Sequence, residues 1–197
     1  GPQTVPGVTG KTGETVDVTV PTVAGYTPDQ STVPATVNPD GTITTDQTVV
    51  YTPNEVTANV TIPSNLGPQT VPGVTGKTGE TVDVPVPAVV GYTPDQSTVP
   101  ATVNPDGTIT TDQTVVYTPN EVTADVTIPS NLGPQTVPGV TGKTGETVDV
   151  TVPAVVGYTP DQSTVPATVN PDGTITTDQT VVYTPNEVTA DVTIPSN

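Results

Sequence analysis

Few residues in this chain could do chemistry, and those that could recur at a fixed spacing. The 197 residues include no Cys and no His, so neither a thiol nucleophile nor an imidazole base is available. The remaining candidates are the acids, one lysine in each Thr-Gly-Lys-Thr-Gly segment, and the tyrosines. We therefore expect no enzymatic activity and no cofactor.

The acids and lysines have a functional and a structural interpretation. Asp29, Asp40 and Asp46 supply oxygens of the kind that Ca²⁺ prefers, but they lack the alternating spacing of a calcium loop, so we expect no metal site. The lysines Lys11, Lys77 and Lys143 could form an isopeptide bond with Asn only if buried beside a carboxylate. Their flanking glycines favour an exposed turn instead.

Tyrosine is the residue type best suited to bind a sugar here, because an aromatic face can stack on carbohydrate C–H groups. The sequence Gly-Tyr-Thr-Pro makes Tyr26, Tyr92 and Tyr158 the candidate ligand-binding residues. The alternative interpretation, a core residue with its hydroxyl at the rim, is the more common one for a strand tyrosine and applies equally to Tyr51.

The element that must position these residues is a hairpin over residues 25–53, repeated unchanged at 91–119 and 157–185. Its turn is Asn38-Pro39-Asp40-Gly41: Pro39 has φ preset, and Gly41 can adopt positive φ. Apolar residues alternate on both arms, at Val33, Ala35 and Val37 before the turn and at Ile43, Val49 and Tyr51 after it. We expect the second arm to bend at its polar residues and to end at Val49–Tyr51.

Two further segments alternate with a period of two. In residues 14–21 the valines face one way, and in residues 56–63 Ala58, Val60 and Ile62 share a face. Pro85 lies in the second copy of the first segment and cannot donate to a ladder, which predicts an edge strand. Residues 1–13 are rich in turn formers, and no window has helical periodicity. The fold class should be mainly β.

The net charge of −17, with 20 acids against three basic residues, excludes nucleic acid and anionic membrane surfaces as partners. No apolar run is long enough to cross a bilayer, so we expect no membrane insertion, and we see no signal peptide.

The chain repeats with a period of 66 residues, and only four positions differ among the copies. A copy of this length forms a small core of Val, Ile, Leu, Ala and tyrosines, without disulfides. Packing against neighbouring repeats is therefore an expected source of stability, as in an elongated array of small modules.

The ordered segments ANVTIP, GKTGETV, GYTPDQ, NPDG and DQTVVYTP resemble the MucBP (mucin-binding protein) repeat of Gram-positive surface adhesins. This resemblance covers the whole period. It implies small ubiquitin-like, β-grasp-like modules, with the helix reduced or absent here. It also implies an extracellular location on a bacterial cell surface, wall attachment through regions outside this stretch, and mucin or other glycoprotein glycans as partners.

The resemblance places the first strand of a module at ANVTIP, near the end of each 66-residue copy. Complete modules would then be residues 55–120 and 121–186. Residues 1–54 would lack their first strand, and residues 187–197 would be an additional first strand. The alternative register is 1–66, 67–132 and 133–197.

Two functions follow as hypotheses. One is an adhesin region that binds mucin by multivalent weak contacts. The other is a stalk or filament segment that spaces a distal domain or polymerises head-to-tail by strand complementation. In the latter, the assembly strand would present Val188, Ala190, Val192 and Ile194.

Overall fold

The computed structural model describes residues 1–197, which form β-strands and no helix, as expected. The strands of the first copy are β1 (Thr15–Thr19), β2 (Tyr26–Pro28), β3 (Thr32–Val37), β4 (Ile43–Thr44), β5 (Tyr51–Pro53) and β6 (Glu55–Ile62). Those of the second are β7 (Gln69–Lys77), β8 (Thr81–Pro85), β9 (Tyr92–Pro94), β10 (Thr98–Val103), β11 (Ile109–Thr110), β12 (Tyr117–Pro119) and β13 (Glu121–Ile128). Those of the third are β14 (Gln135–Lys143), β15 (Thr147–Thr151), β16 (Tyr158–Pro160), β17 (Thr164–Val169), β18 (Ile175–Thr176) and β19 (Tyr183–Pro185).

The strands are distributed over two compact units. One unit contains Gly1–Pro87 and Gln96–Val116, and it holds the sheets β1-β3-β4 and β8-β10-β11 with the pairs β2-β5 and β6-β7. The other contains Ala88–Asp95 and Tyr117–Asn197, and it holds the sheet β15-β17-β18 with the pairs β9-β12, β13-β14 and β16-β19. Every pairing between these strands is antiparallel.

The three-stranded sheets confirm the predicted strand phases and the edge strand. Alternate residues of β3, β10 and β17 are buried, in the phase that begins at Val33 in the first copy. Strand β8 lies at the edge of its sheet, and Pro85 is opposite Thr98 of β10 alone. The missing N–H of Pro85 therefore costs no ladder hydrogen bond.

The predicted turn is present in all three copies. The Gly41 N–H donates to the Asn38 carbonyl at 3.1 Å, and Gly41 has φ of 87°. The Asn38 N–H in turn donates to the Thr42 carbonyl at 2.8 Å. This is a type I turn closed by a glycine in the left-handed region, which matches the twist of the flanking strands β3 and β4.

The predicted hairpin over residues 25–53 is present, and residues 49–51 lie at the end of its second arm. Next to the turn β4 pairs with β3, and farther out β5 pairs with β2, with Tyr51 opposite Pro28. The polar run at residues 45–48 interrupts the second arm between these two pairings, as expected. The apolar face continues across the interruption, because Ile175, Val181 and Tyr183 are all buried in the third copy.

The interpretation of residues 1–13 as turns is wrong for the later copies. The same sequence forms the nine-residue strands β7 and β14, which pair with β6 and β13. Glycine and proline obscured the strand in the sequence, since both are depleted in strands. In the first copy, residues 3–11 are not in a strand.

One contiguous core lies within residues 122–183, and it shows how β13 packs. Val126 and Ile128 of β13 are completely buried together with Val165 and Val169 of β17 and Tyr183 of β19. Strand β13 also packs against β18. After β13, the Val181 N–H donates to the Pro129 carbonyl at 2.9 Å, which accompanies a parallel bridge between Ser130 and Val181.

Candidate functional site

The candidate tyrosines Tyr26, Tyr92 and Tyr158 occupy equivalent positions, each as the first residue of a three-residue strand. They lie opposite Pro53, Pro119 and Pro185 respectively. All three side chains are half-buried, so part of each ring is accessible. Each of the three belongs to a separate strand pair.

Their surroundings differ along the chain. A side-chain carbon added at Gly79 would lie 3.7 Å from the Tyr26 hydroxyl oxygen, and one at Gly145 would lie 3.8 Å from that of Tyr92. The hydroxyl ends of Tyr26 and Tyr92 therefore approach the following copy of the repeat. Tyr158 is adjacent in sequence to the exposed Gly157 and Val156.

The other tyrosine is a core residue in the second and third copies, in agreement with the commoner interpretation. Tyr183 is 1% exposed, and its hydroxyl donates to the Pro153 carbonyl at 2.6 Å. Tyr51 makes the same bond to Pro21. Burial raises the pKa of the Tyr117 hydroxyl. Tyr117 and Tyr183 therefore offer no face to a ligand, whereas Tyr51 is half-buried.

The turn acids are engaged locally. In each copy the aspartate of the turn accepts hydrogen bonds from the hydroxyl and the backbone N–H of the threonine two residues later. The distances are 2.6 and 3.0 Å for Asp40 and Thr42. No group of three or more acidic side chains lies close enough to share a metal ion. The Asp40, Asp106 and Asp172 side chains therefore stabilise the turn through these bonds.

These bonds predict a pH dependence of stability. The hydrogen bond from the Thr hydroxyl, followed by that from its N–H, lowers the pKa of Asp40, Asp106 and Asp172 below 3.8. A carboxyl with a lowered folded-state pKa stabilises the fold above its unfolded pKa and loses that contribution as the pH falls through the folded pKa. We expect the melting temperature to fall as the pH is lowered from about 5 to below 3.8, and to fall less in the triple Asp→Asn variant at these positions.

The matched control replaces three exposed aspartates of the edge strands, Asp17, Asp83 and Asp149, by asparagine. Thermal melts at stepwise pH compare the three proteins. Equal pH dependence in the two triple variants would contradict a special role for the turn aspartates.

The lysines are exposed, as the surface-turn interpretation requires. Lys77 and Lys143 are the last residues of the long strands β7 and β14. Their backbone N–H groups donate to the carboxylates of Glu80 and Glu146 at 2.8 Å. An exposed ammonium group lacks the burial that an isopeptide bond needs.

An asparagine cluster joins consecutive copies, and sequence reasoning missed it. The Asn120 N–H donates to the Gly91 carbonyl at 2.8 Å, its carbonyl accepts from the Thr144 N–H at 2.9 Å, and its side chain accepts from the Thr93 hydroxyl at 2.6 Å. Thr144 is buried although it is polar. The same bonds recur around Asn54 with Gly25, Thr78 and Thr27. In the sequence, only the repeated Pro-Asn-Glu indicated this cluster, because the hydrogen-bond partners of the asparagine are distant from it in sequence.

A second acceptor explains the variable position Asn59/Asp125. It lies at the bulge of the β6-β7 and β13-β14 ladders, where the side-chain oxygen accepts from the N–H of Gly73 or Gly139. Both Asn and Asp carry an acceptor oxygen there. The role is therefore structural in either form.

The first copy carries an open groove of about 900 Å³ that is lined by both apolar and polar residues. Its lining includes Val18, Val20, Val33, Ala35, Ile43 and Tyr51. Of these, Val18, Ile43 and Tyr51 are only half-buried. The corresponding residues of the third copy, Val150, Ile175 and Tyr183, are at most 2% exposed.

Comparison with known proteins gives one family. The family described as MucBP domain matches the chain three times, over residues 2–52, 59–118 and 130–184. A comparison with curated proteins found no match. None of the elements is a helix that could span a membrane.

Proposed function

The chain belongs to the MucBP domain family, and from this membership we propose that it is the repeat region of a bacterial surface adhesin that binds mucin glycoproteins. The observation that carries the proposal is the threefold tandem match. Three near-identical modules present the same surface three times, so weak contacts at each would multiply when a polymeric ligand engages several of them. The location that follows is extracellular.

The ligand contact we propose is stacking of a neutral sugar on Tyr26, Tyr92 and Tyr158. Each ring is half-buried, which fixes its orientation while part of it remains accessible. The charge of −17 opposes attraction to sialylated, anionic glycans, so hydrogen bonds and stacking must supply the affinity. Next to Tyr158 the preceding Val156 and Gly157 are exposed, whereas Gly25 and Gly91 are half-buried.

We expect replacement of all three tyrosines by Ala to lower retention on immobilised mucin by about tenfold or more, since each lost contact is multiplied by avidity. Retention is measured by biolayer interferometry with the 197-residue chain. The matched control replaces the same residues by Phe, which keeps the stacking ring, and should retain most of the binding. Absence of wild-type retention would contradict mucin binding. Equal retention by all three proteins would contradict the tyrosines as its site.

The second candidate function is a stalk that spaces a distal domain. The hydrogen bonds around Asn54 and Asn120 favour it, because they link consecutive copies at the buried Thr78 and Thr144. A chain with this role would show no retention on mucin.

For the module register we propose complete modules at residues 55–120 and 121–186. In support, β13 packs on β18, and the segment after β13 meets Val181 through a parallel bridge. A parallel neighbour needs a long crossover, so the strand that follows a short junction must serve the next module. Residues 1–54 then lack a first strand in this chain, and residues 187–197 carry one more.

A further inference from the structure

Strand β13 is the internal strand through which the chain passes from the second copy of the repeat into the third. Only Asn120 separates it from β12, and Asn120 is held on both sides. Its N–H donates to the Gly91 carbonyl of the second copy, and its own carbonyl accepts from the Thr144 N–H of the third. A pull along the chain therefore reaches β13 without a slack linker in between.

Two kinds of contact hold β13 itself. Along one edge it pairs with β14, from Glu121 opposite Lys143 to Ile128 opposite Gln135. Its apolar face lies in the core, where Val126 and Ile128 are completely buried. Removing this strand thus breaks a whole ladder and exposes buried apolar surface.

A third contact joins the segment after β13 to the start of β19. The Val181 N–H donates to the Pro129 carbonyl at 2.9 Å. The Asn131 side-chain amide donates to the Tyr183 carbonyl at 2.9 Å, and its oxygen accepts from the Tyr183 N–H at 2.8 Å. These three hydrogen bonds are called the terminal clamp below.

The direction of the two clamped segments decides how they respond to tension. The bridge between Ser130 and Val181 is parallel, so both segments run the same way. Tension on the chain pulls Glu121 backward and Asn186 forward, along the strands and in opposite senses. Because the hydrogen bonds of an antiparallel ladder are perpendicular to its strands, this pull loads the β13-β14 ladder and the clamp together. The bonds cannot then break one after another.

We propose that the internal copies of this repeat bear tension, with β13 and the terminal clamp as the resisting element. Sliding β13 out requires its ladder, its clamp and its buried face to be lost in one event. The element recurs in the second copy, where a parallel bridge joins Ser64 to Val115 and the Val115 N–H donates to the Pro63 carbonyl at 2.9 Å. This function goes beyond mucin binding, and its test needs no ligand.

Two pulling directions in one protein test the proposal, since the chain has no cysteine of its own. Glu121, Leu132 and Glu187 are exposed and accept DNA handles as cysteines. In E121C/E187C the handles pull along β13 and load all of its contacts together. In L132C/E187C they sit at the same end of the two parallel segments and peel the clamp apart one bond at a time.

Optical tweezers measure the unfolding force of both proteins at one loading rate, in the full 197-residue chain. We expect an unfolding force about twofold higher or more in E121C/E187C, because forced unfolding follows the unfolding rate and several contacts must break at once. In that protein the event should release about 220 Å of chain, the extended length of residues 121–187. Equal forces in the two directions would overturn the tension-bearing role.

A matched pair of variants in the E121C/E187C protein tests the clamp. N131A removes two clamp hydrogen bonds and should raise the unfolding rate at constant force about tenfold. The control N170A also removes two side-chain hydrogen bonds, to Thr174 and Thr176 at 2.9 Å, but these lie within a turn away from β13 and the clamp. It should change the rate by less than about twofold. Equal acceleration by the two variants would overturn the clamp as part of the resisting element.

Discussion

Ile128→Ala is expected to destabilise the chain by about 3 kcal/mol, whereas Ile194→Ala is expected to leave its stability unchanged. Ile128 is 0% exposed in the core of residues 122–183, so truncation removes buried apolar surface and leaves a cavity. Urea unfolding at about 1 µM protein gives the free energy of unfolding of both variants.

The pair is a matched control of unusual strictness. Residues 121–131 and 187–197 are identical in sequence, so local propensity and unfolded-chain effects are the same at both sites. Only the tertiary surroundings differ. A loss of stability in Ile194→Ala as large as that in Ile128→Ala would show that residues 187–197 are packed within the single molecule, against the structure.

Gly91→Ala is the second substitution with a large expected effect. Gly91 has φ of +84°, and a side-chain carbon there would lie 2.8 Å from the Pro171 Cα and 2.8 Å from a Thr144 methyl carbon. The clash should disrupt the asparagine cluster around Asn120, since the Gly91 carbonyl accepts a hydrogen bond from the Asn120 N–H. We expect a loss of about 2–4 kcal/mol, from the unfavourable backbone angle and the overpacked contact together.

Gly157→Ala separates the two contributions. Gly157 has φ of +83°, but nothing lies within 4 Å of an added side-chain carbon. This variant should lose only about 1 kcal/mol, the cost of the backbone angle alone. Urea unfolding gives the loss in free energy of unfolding for each variant. The difference between the two losses is the contribution of the close packing at Gly91. Equal losses at Gly91 and Gly157 would contradict a close contact between Gly91 and the Pro171 turn.

Much of the local structure follows from the sequence. Alternation in residues 32–37 predicts a strand with one buried face, and Asn-Pro-Asp-Gly predicts its turn, because side-chain direction and backbone angle are set by neighbours in the chain. The motif order also indicated the MucBP family, which the threefold match confirms. Strands β7 and β14 escaped prediction because their ladder with β6 and β13 outweighs the glycine and proline they contain.

The candidate site was less accessible to sequence reasoning. Tyr26 and Tyr51 each precede Thr-Pro, yet the hydroxyls of Tyr51 and Tyr183 donate to backbone carbonyls, while Tyr26 lies half-buried at a strand end. The asparagine cluster could not be predicted from the sequence, since Asn120 forms hydrogen bonds with Gly91 and Thr144, both more than 20 residues away.

The sequence by itself determined the repeat, the strand faces, the turns and the absence of helix, because these depend on residues a few positions apart. The tertiary structure decided which strands meet across longer separations: β6 with β7, β13 with β14, and β13 with the sheet that follows it. One segment makes the division plain. Glu-Val-Thr-Ala-Asp-Val-Thr-Ile is a buried strand at residues 121–128 and exposed, without strand structure, at residues 187–194. A strand needs a ladder partner and a covered face, and no sequence of eight residues supplies its own.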